Sequence, residues 1–497
     1  MRHRRTAPTW AALVLAPAFA FAAPAPTPSP TPAALFDPRR PPERELDTRV
    51  PDGFTVAAVG DLITTRPLVE RLPADPGFAA VVKILRDADV AFGNFETTAI
   101  DLDRFTGSSY PGKDDWALAA SPAVAKDLRA LGFGLVGRAN NHALDYGVEG
   151  MRETSRWLDE AGIAWAGVGE NRAQARAARF VETPAARVGL VSMASTYRDG
   201  ADALPAFGRA PGRAGLNALR TTTTLALPAE TLLALKSVKD ALDAPHEACE
   251  RTPREAARRK EDSQKAGEGL SFLDTRFVVG SRAERRYAMN GQDLEEILRS
   301  VRLGKQHSDL LLVSIHSHDT GLGCDEPGDF LPKLAHAAID AGAGAFLGSG
   351  EHRLMPIEIY KGRPIFYSLA NFFWSDMQEG LPADRWEDYR DLLGKAFGDP
   401  AKATDADLNA LVNADGFDDE RVFQTLVAVC RWDKGSVAEV RLYPVDLGYG
   451  EPLTRSGVPR LAAPAVARAI LERLQRISRP FGTTIAIEGS VGVIRVR

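Results

Sequence analysis

The chain has 497 residues, about three times a usual domain, so a large core split among two or three domains is within reach. Its 44% hydrophobic and 26% charged residues are ordinary globular values and exclude wholesale disorder. Lys+Arg 61 against Asp+Glu 66 gives a net charge of -5, so no nucleic-acid partner is expected. Cys249, Cys324 and Cys430 are too few and too scattered for a disulfide framework or a cysteine zinc knuckle.

Arg2, His3, Arg4 and Arg5 open the chain, and an apolar, alanine-rich run follows from Trp10 to Ala22. Ala20-Phe21-Ala22 has the small-residue pattern at which a secretory signal is cut. The run falls short of the roughly 20 residues that span a bilayer. Residues 1–22 are therefore expected to be a signal peptide, not a retained anchor, with the periplasm or the exterior as destination. Eight prolines from Pro24 to Pro42 make residues 23–50 an extended linker, because proline fixes φ and removes a backbone donor.

From there the pattern alternates strand and helix. Phe54–Val59 is a short β-rich run that stops at Gly60-Asp61, and helical spacing follows through Val81, Val82, Ile84 and Leu85. Val90–Phe92 leads to Gly93-Asn94-Phe95-Glu96. A helix at Ala123–Leu131 precedes the strand Phe133–Val136 and then Asn140-Asn141-His142. Glu149–Ala161 is helical, and Ile163–Val168 and Val188–Met193 are strands. Leu310–Ile315 ends at His316-Ser317-His318, and the helix Leu331–Asp340 feeds Ala343–Leu347, which ends at Gly348-Ser349-Gly350-Glu351-His352. Strands separated by helices predict βαβ units and a largely parallel, buried sheet.

Asp61, Glu96, Asn141, His142, His316 and His352 all fall just past the carboxyl end of a predicted strand. Ligands bind at that edge in open α/β sheets. Any one of these residues alone is more simply a helix cap or a turn residue. Together, carboxylate, amide and imidazole at one edge predict a metal site for Zn, Mn or Fe, since Ca prefers oxygen alone.

Five stretches carry a family resemblance: Ala58-Val59-Gly60-Asp61, Gly93-Asn94-Phe95-Glu96, Asn140 to Gly147, Ser314-Ile315-His316-Ser317-His318, and Met355 to Phe372. On these residues the chain resembles poly-gamma-glutamate capsule biosynthesis proteins of the CapA type, which are similar to calcineurin-like metallophosphoesterases. The resemblance covers roughly residues 52–375. It implies an α/β fold, a metallophosphoesterase-like layered sheet core with helices outside. It also implies roles. Asp61 would hold one divalent metal, Glu96 would bridge two, and Asn141 would bind the second with Asn140 in support. His316 would serve the second metal and His352 the first, while His142 would donate a proton to the leaving oxygen. The cofactor implied is Mn, Fe or Zn, one ion or two.

Two departures bear on that set. Relatives usually carry Gly-x-His-Pro-His after the last strand, and Gly350 stands where the first histidine would be. Glu351 offers a carboxylate in its place; otherwise the second metal is weak or absent. Many relatives have His-Trp-Gly where this chain has His316-Ser317-His318, which makes His318 a spare ligand or a substrate contact.

The hundred-odd residues after Met193 are too long for a connection, so a helical insertion is expected at about 200–285, acting as a lid or a homodimer arm. Its basic run Arg251–Lys260 reads most simply as a solvated helix face. Residues 51–375 form the expected main domain and 376–497 a small α+β extension packed on it. Two functions remain open at this point. One is metal-dependent phosphoester hydrolysis on an envelope-related substrate, within a membrane-associated synthesis complex. The other is non-catalytic binding of an anionic polymer such as polyglutamate through a degraded metal site. No Walker-type phosphate loop supports an ATP-driven ligase.

Overall fold

The computed structural model describes residues 46–109, 117–242, 269–323, 325–375, 377–378, 381–416 and 419–496. The expected signal peptide, most of the linker and the basic run Arg251–Lys260 lie outside the described residues.

Two large sheets form the centre. In the ten-stranded sheet, Phe54–Thr64 pairs in parallel with Val90–Phe95 and Asn371–Ser375, and antiparallel with Gln424–Asp433. Phe133–Gly137 and then Ala164–Ala166 continue the parallel side. In the six-stranded sheet, Leu310–His316 lies between Arg187–Ala194 and Ala345–Ser349, parallel to both. Val90–Phe95, Phe133–Gly137 and Leu310–His316 are buried along their length, which is why they read as mostly apolar runs and not as alternating ones.

The sheets pack face to face. Val56, Phe92 and Leu135 from the first meet Leu190, Leu312 and Leu347 from the second in one apolar cluster. Helices cover both outer faces. Phe78, Val81 and Leu128 lie against the ten-stranded sheet, and Ile297, Val301 and Leu334 against the six-stranded one. Each such side chain stabilises the fold by about 1.5–3 kcal/mol when fully buried. The result is the layered α/β core with helices outside that the resemblance implies.

Local signals place the helices well. Asp75 caps Pro76–Asp87 by accepting from the Phe78 amide at 3.0 Å, and Pro76 stands in the first turn, where its missing N–H costs nothing. Ala123–Leu131 and Leu331–Asp340 occupy the residues expected of them. The first strand differs: it continues through Gly60-Asp61 to Thr64, with register shifts on either side of Asp61. Gly60 permits this because the Ala370 carbonyl presses on the space where a Cβ would stand.

Two expectations need correction. The insertion is not simply helical. Thr221–Leu227, Leu270–Phe272, Thr275–Val279 and Glu284–Met289 form a four-stranded sheet beside the helix Ala229–Leu242. The C-terminal part does not sit on the main domain as an extension. Its strands Gln424–Asp433, Ser436–Asp446 and Val491–Arg495 continue the ten-stranded sheet, and Ile470, Leu471 and Leu474 enter the core between the sheets. Residue 375 is a boundary of sequence pattern, not of packing. Among the described residues no helix is long and apolar enough to cross a membrane.

Candidate metal centre

Register brings the polar residues together. Asp61 stands opposite Asn94 on one neighbouring strand and Asn371 on the other, while His316 ends a strand of the second sheet. The Asn94 amide donates to Asp61 Oδ1 at 2.8 Å and lies 3.1 Å from His316 Nδ1. It thereby ties the two sheets together at their carboxyl edges.

Glu96, His316 and His318 form the tightest donor group. His316 Nε2 lies 3.4 Å from Glu96 Oε1 and 3.0 Å from His318 Nε2. His316 Nδ1 thus faces Asn94 and Asp61, while Nε2 faces Glu96 and His318. Two imidazole nitrogens this close share one proton or one cation. Two nitrogens and a carboxylate suit a borderline divalent cation, so the residues present fit a metal.

His352 completes the wall. Its Nδ1 donates to Asn371 Oδ1 at 2.7 Å, which leaves Nε2 with its lone pair, and its ring centroid is 5.4 Å from that of His318. His352 and Ala370 adopt left-handed φ angles of 56° and 59°, backbone strain of a kind that collects at functional sites. Burial, and then the charges of His316 and His352, drive the His318 pKa well below the usual imidazole range. Burial likewise lowers that of His352. Both are thus neutral, lone-pair-bearing rings at neutral pH. Burial opposes the Asp61 carboxylate, but a hydrogen bond and charge from His316, with further charge from His352, hold its pKa well below the usual range.

His142 stands apart from this wall. It is 6% exposed, its Nδ1 lies 2.8 Å from Asp145 Oδ2, and its Nε2 lies 4.0 Å from Glu96 Oε1. Asp145 also meets Arg198 Nη2 at 2.9 Å and accepts from the Leu118 amide at 2.6 Å. The imidazole is therefore fixed at one nitrogen and turned toward Glu96 with the other. Asn141 is buried in the same turn, and Asn140 donates to Phe95 O at 2.9 Å and to Asn94 Oδ1 at 3.3 Å, clamping the turn to the neighbouring strand.

Glu351 follows Gly350 but lies outside the group of Glu96, His316 and His318. Burial, then the Asp319 charge, pushes its pKa up to about 8, so without a metal its carboxyl is largely protonated at neutral pH. Gly350 contributes its backbone: the amide donates to Asp61 Oδ2 at 3.0 Å. The imidazole in this region comes instead from His318. Asn94, Asp145 and Asn371 have no role in the sequence reading, though each lies within a stretch that carries the resemblance. Arg198 has no sequence signal at all. His336, on the helix Leu331–Asp340, meets Glu358 Oε1 at 2.8 Å and stacks on Tyr360.

The family description "Bacterial capsule synthesis protein PGA_cap" matches residues 55–375. An uncharacterized protein y4sH of Sinorhizobium fredii is 44% identical over 459 residues, 90% of this chain and 94% of its own. The capsule biosynthesis protein CapA of Bacillus anthracis is 24% identical over 326 residues, 64% of this chain and 59% of its own. The PGA biosynthesis protein CapA of Bacillus subtilis is 24% identical over 327 residues, 65% of this chain and 63% of its own.

Proposed function

The chain belongs to the bacterial capsule synthesis protein PGA_cap family, and from that premise we propose that it is an exported, metal-dependent phosphoester hydrolase serving an envelope polymer such as poly-gamma-glutamate. The observation that carries this reading is the buried triplet Arg198–Asp145–His142, aimed at Glu96. Asp145, itself held by Arg198, fixes one imidazole nitrogen and leaves the other facing Glu96, as proton delivery at this edge requires.

Glu96, His316 and His318 would hold one cation, Mn, Fe or Zn, and Asp61, His352 and Asn141 are the candidates for a second. A bound cation supplies stabilisation of the charge that develops on phosphoryl oxygens. The protein's own part is proton delivery. A water oxygen bonds to phosphorus and loses a proton to solvent as the bond from phosphorus to the leaving oxygen breaks; His142 Nε2 gives its proton to that leaving oxygen, and Asp145 stabilises the imidazolium beforehand. Asn94 and Asn371 hold Asp61 and His352 in place meanwhile. Partial exposure of His318 and His352 leaves that wall open to substrate.

Gly350 supports a second reading. A glycine where relatives carry imidazole suits a binder that retains the pocket for an anionic polymer without turnover. The insertion sheet is then a candidate homodimer arm, and either role suits a membrane-associated synthesis complex. One assay separates the readings: the purified chain with Mn, Fe or Zn on a chromogenic phosphodiester, before and after EDTA. Metal-dependent turnover supports the hydrolase; polymer binding without turnover overturns it.

A further inference from the structure

Arg473 lies on the buried face of the helix Pro464–Ser478 and is 8% exposed. Its Nε, Nη1 and Nη2 are all buried, and none has a hydrogen-bond partner among the described residues. A guanidinium has five N–H donors and remains charged in proteins, so burying it bare is far less favourable than burying a hydrocarbon of equal size.

The charges near it do not relieve this. Asp325 acts on Arg473 most strongly among them, yet Asp325 Oδ1 is itself buried without a partner. Asp419, the other nearby carboxylate, is already taken. It accepts from Arg421 Nη2 at 2.7 Å and from Arg353 Nη2 at 2.8 Å. Arg353 Nε is buried without a partner as well. Arg353 and Arg421 thus meet on one occupied carboxylate, whose charge also reaches Arg473, and Arg353 directly follows His352 of the metal centre.

We propose that Arg473, with Arg353 and Arg421, forms a binding site for an oxyanion, a phosphate or carboxylate group of a bound substrate or polymer. A planar guanidinium matches either group through two parallel N–H donors. Such an anion would supply the acceptors that Arg473 lacks. Arg473 and Arg421 lie beyond the family match at residues 55–375 and Arg353 lies within it, so the site draws on the matched region and the C-terminal part together. It stands whether or not the metal centre turns over substrate.

The test is thermal melting of the full chain after EDTA treatment, at constant ionic strength, in sodium phosphate, sodium glutarate or sodium chloride. At about tenfold excess over Kd, phosphate or glutarate should raise the midpoint by about 2 °C relative to chloride. A rise with phosphate alone identifies a phosphoryl site, and one with glutarate alone a carboxylate site. Arg473→Met should abolish the rise and melt no lower than the parent in chloride, since the bare charge is gone. Arg473→Lys keeps charge and bulk without the planar fork, and should weaken anion affinity about tenfold. No rise in the unaltered chain overturns the proposal. A rise that persists in both Arg473 variants also overturns it, and makes Arg473 a group satisfied by water or by Asp325. A rise lost in Asp61→Ala but kept in Arg473→Met overturns it too, by assigning the anion to the metal centre.

Discussion

His316 Nε2 and His318 Nε2 face each other at 3.0 Å, on a strand end and the loop that follows it. Only one proton fits between them, and a cation bound there would take its place between the two rings. The geometry groups His318 with Glu96 and His316 as donors that could hold one cation. His318→Ala should weaken metal affinity about tenfold or more, a loss typical of disturbed metal shells. Metal content after dialysis measures it. Retention equal to the parent would remove His318 from the set.

Gly350 is not an accidental loss that a histidine would repair. Its φ is +111°, and a Cβ there would stand 2.7–2.9 Å from the Ser317 backbone. Its amide also holds Asp61 Oδ2. Gly350→His and Gly350→Ala should each lower stability by roughly 1–3 kcal/mol and reduce bound metal, because Asp61 loses its donor as the loop shifts. Denaturant unfolding and metal analysis report both effects. A Gly350→His chain with unchanged stability and more metal would mean that the loop rebuilds to admit imidazole.

Glu351 sets a pH dependence of the opposite sign to that of a salt-bridged carboxylate. Its pKa rises from 4.5 to about 8 through burial and the Asp319 charge. Between those values the folded chain keeps a proton that the unfolded chain releases, so stability falls as pH rises from 4.5 toward about 8. Glu351→Gln cannot ionise. In metal-free protein it should flatten that slope and be the more stable variant above pH 8. Parallel slopes for parent and variant would contradict the burial argument.

Sequence patterning located what depends on local signals. The helix Leu331–Asp340 is legible from its spaced apolar residues, and Leu310–His316 from an unbroken apolar run. Pairing partners far apart in the chain left no such trace. Nothing in Phe54 or Val56 announces Trp432 and Cys430 as antiparallel neighbours, so the C-terminal strands looked like an addition. Thr221–Leu227 is half exposed and rich in threonine, which hid the insertion's sheet behind the more obvious helical leucines of residues 232–242. At the site, residue types at strand ends marked Asp61, Glu96 and His316. Asn94 was passed over because a lone asparagine near the end of a strand has many uses. Only register shows it donating to Asp61.

The remaining test turns on His142. Proton donation to a leaving oxygen contributes about 10²–10⁴-fold to rate, so His142→Ala should lose activity by that order if the chain is a hydrolase. Metal content should hold, because His142 Nε2 lies 4.0 Å from Glu96 Oε1 and outside the group of Glu96, His316 and His318. Stability should hold within about 1 kcal/mol as well. Asp145 retains Arg198 and the Leu118 amide when the imidazole is removed, so no carboxylate is left stranded. Asp145→Asn gives the complementary result. The imidazole stays, but without the carboxylate it is less easily protonated, and the alkaline side of the activity profile should move to lower pH. Loss of that pH shift with equal activity in both variants would detach the pair from proton transfer. A His142→Ala chain that melts far below the parent would make the histidine a packing element, and the triplet Arg198–Asp145–His142 a structural brace for the turn that carries Asn140 and Asn141.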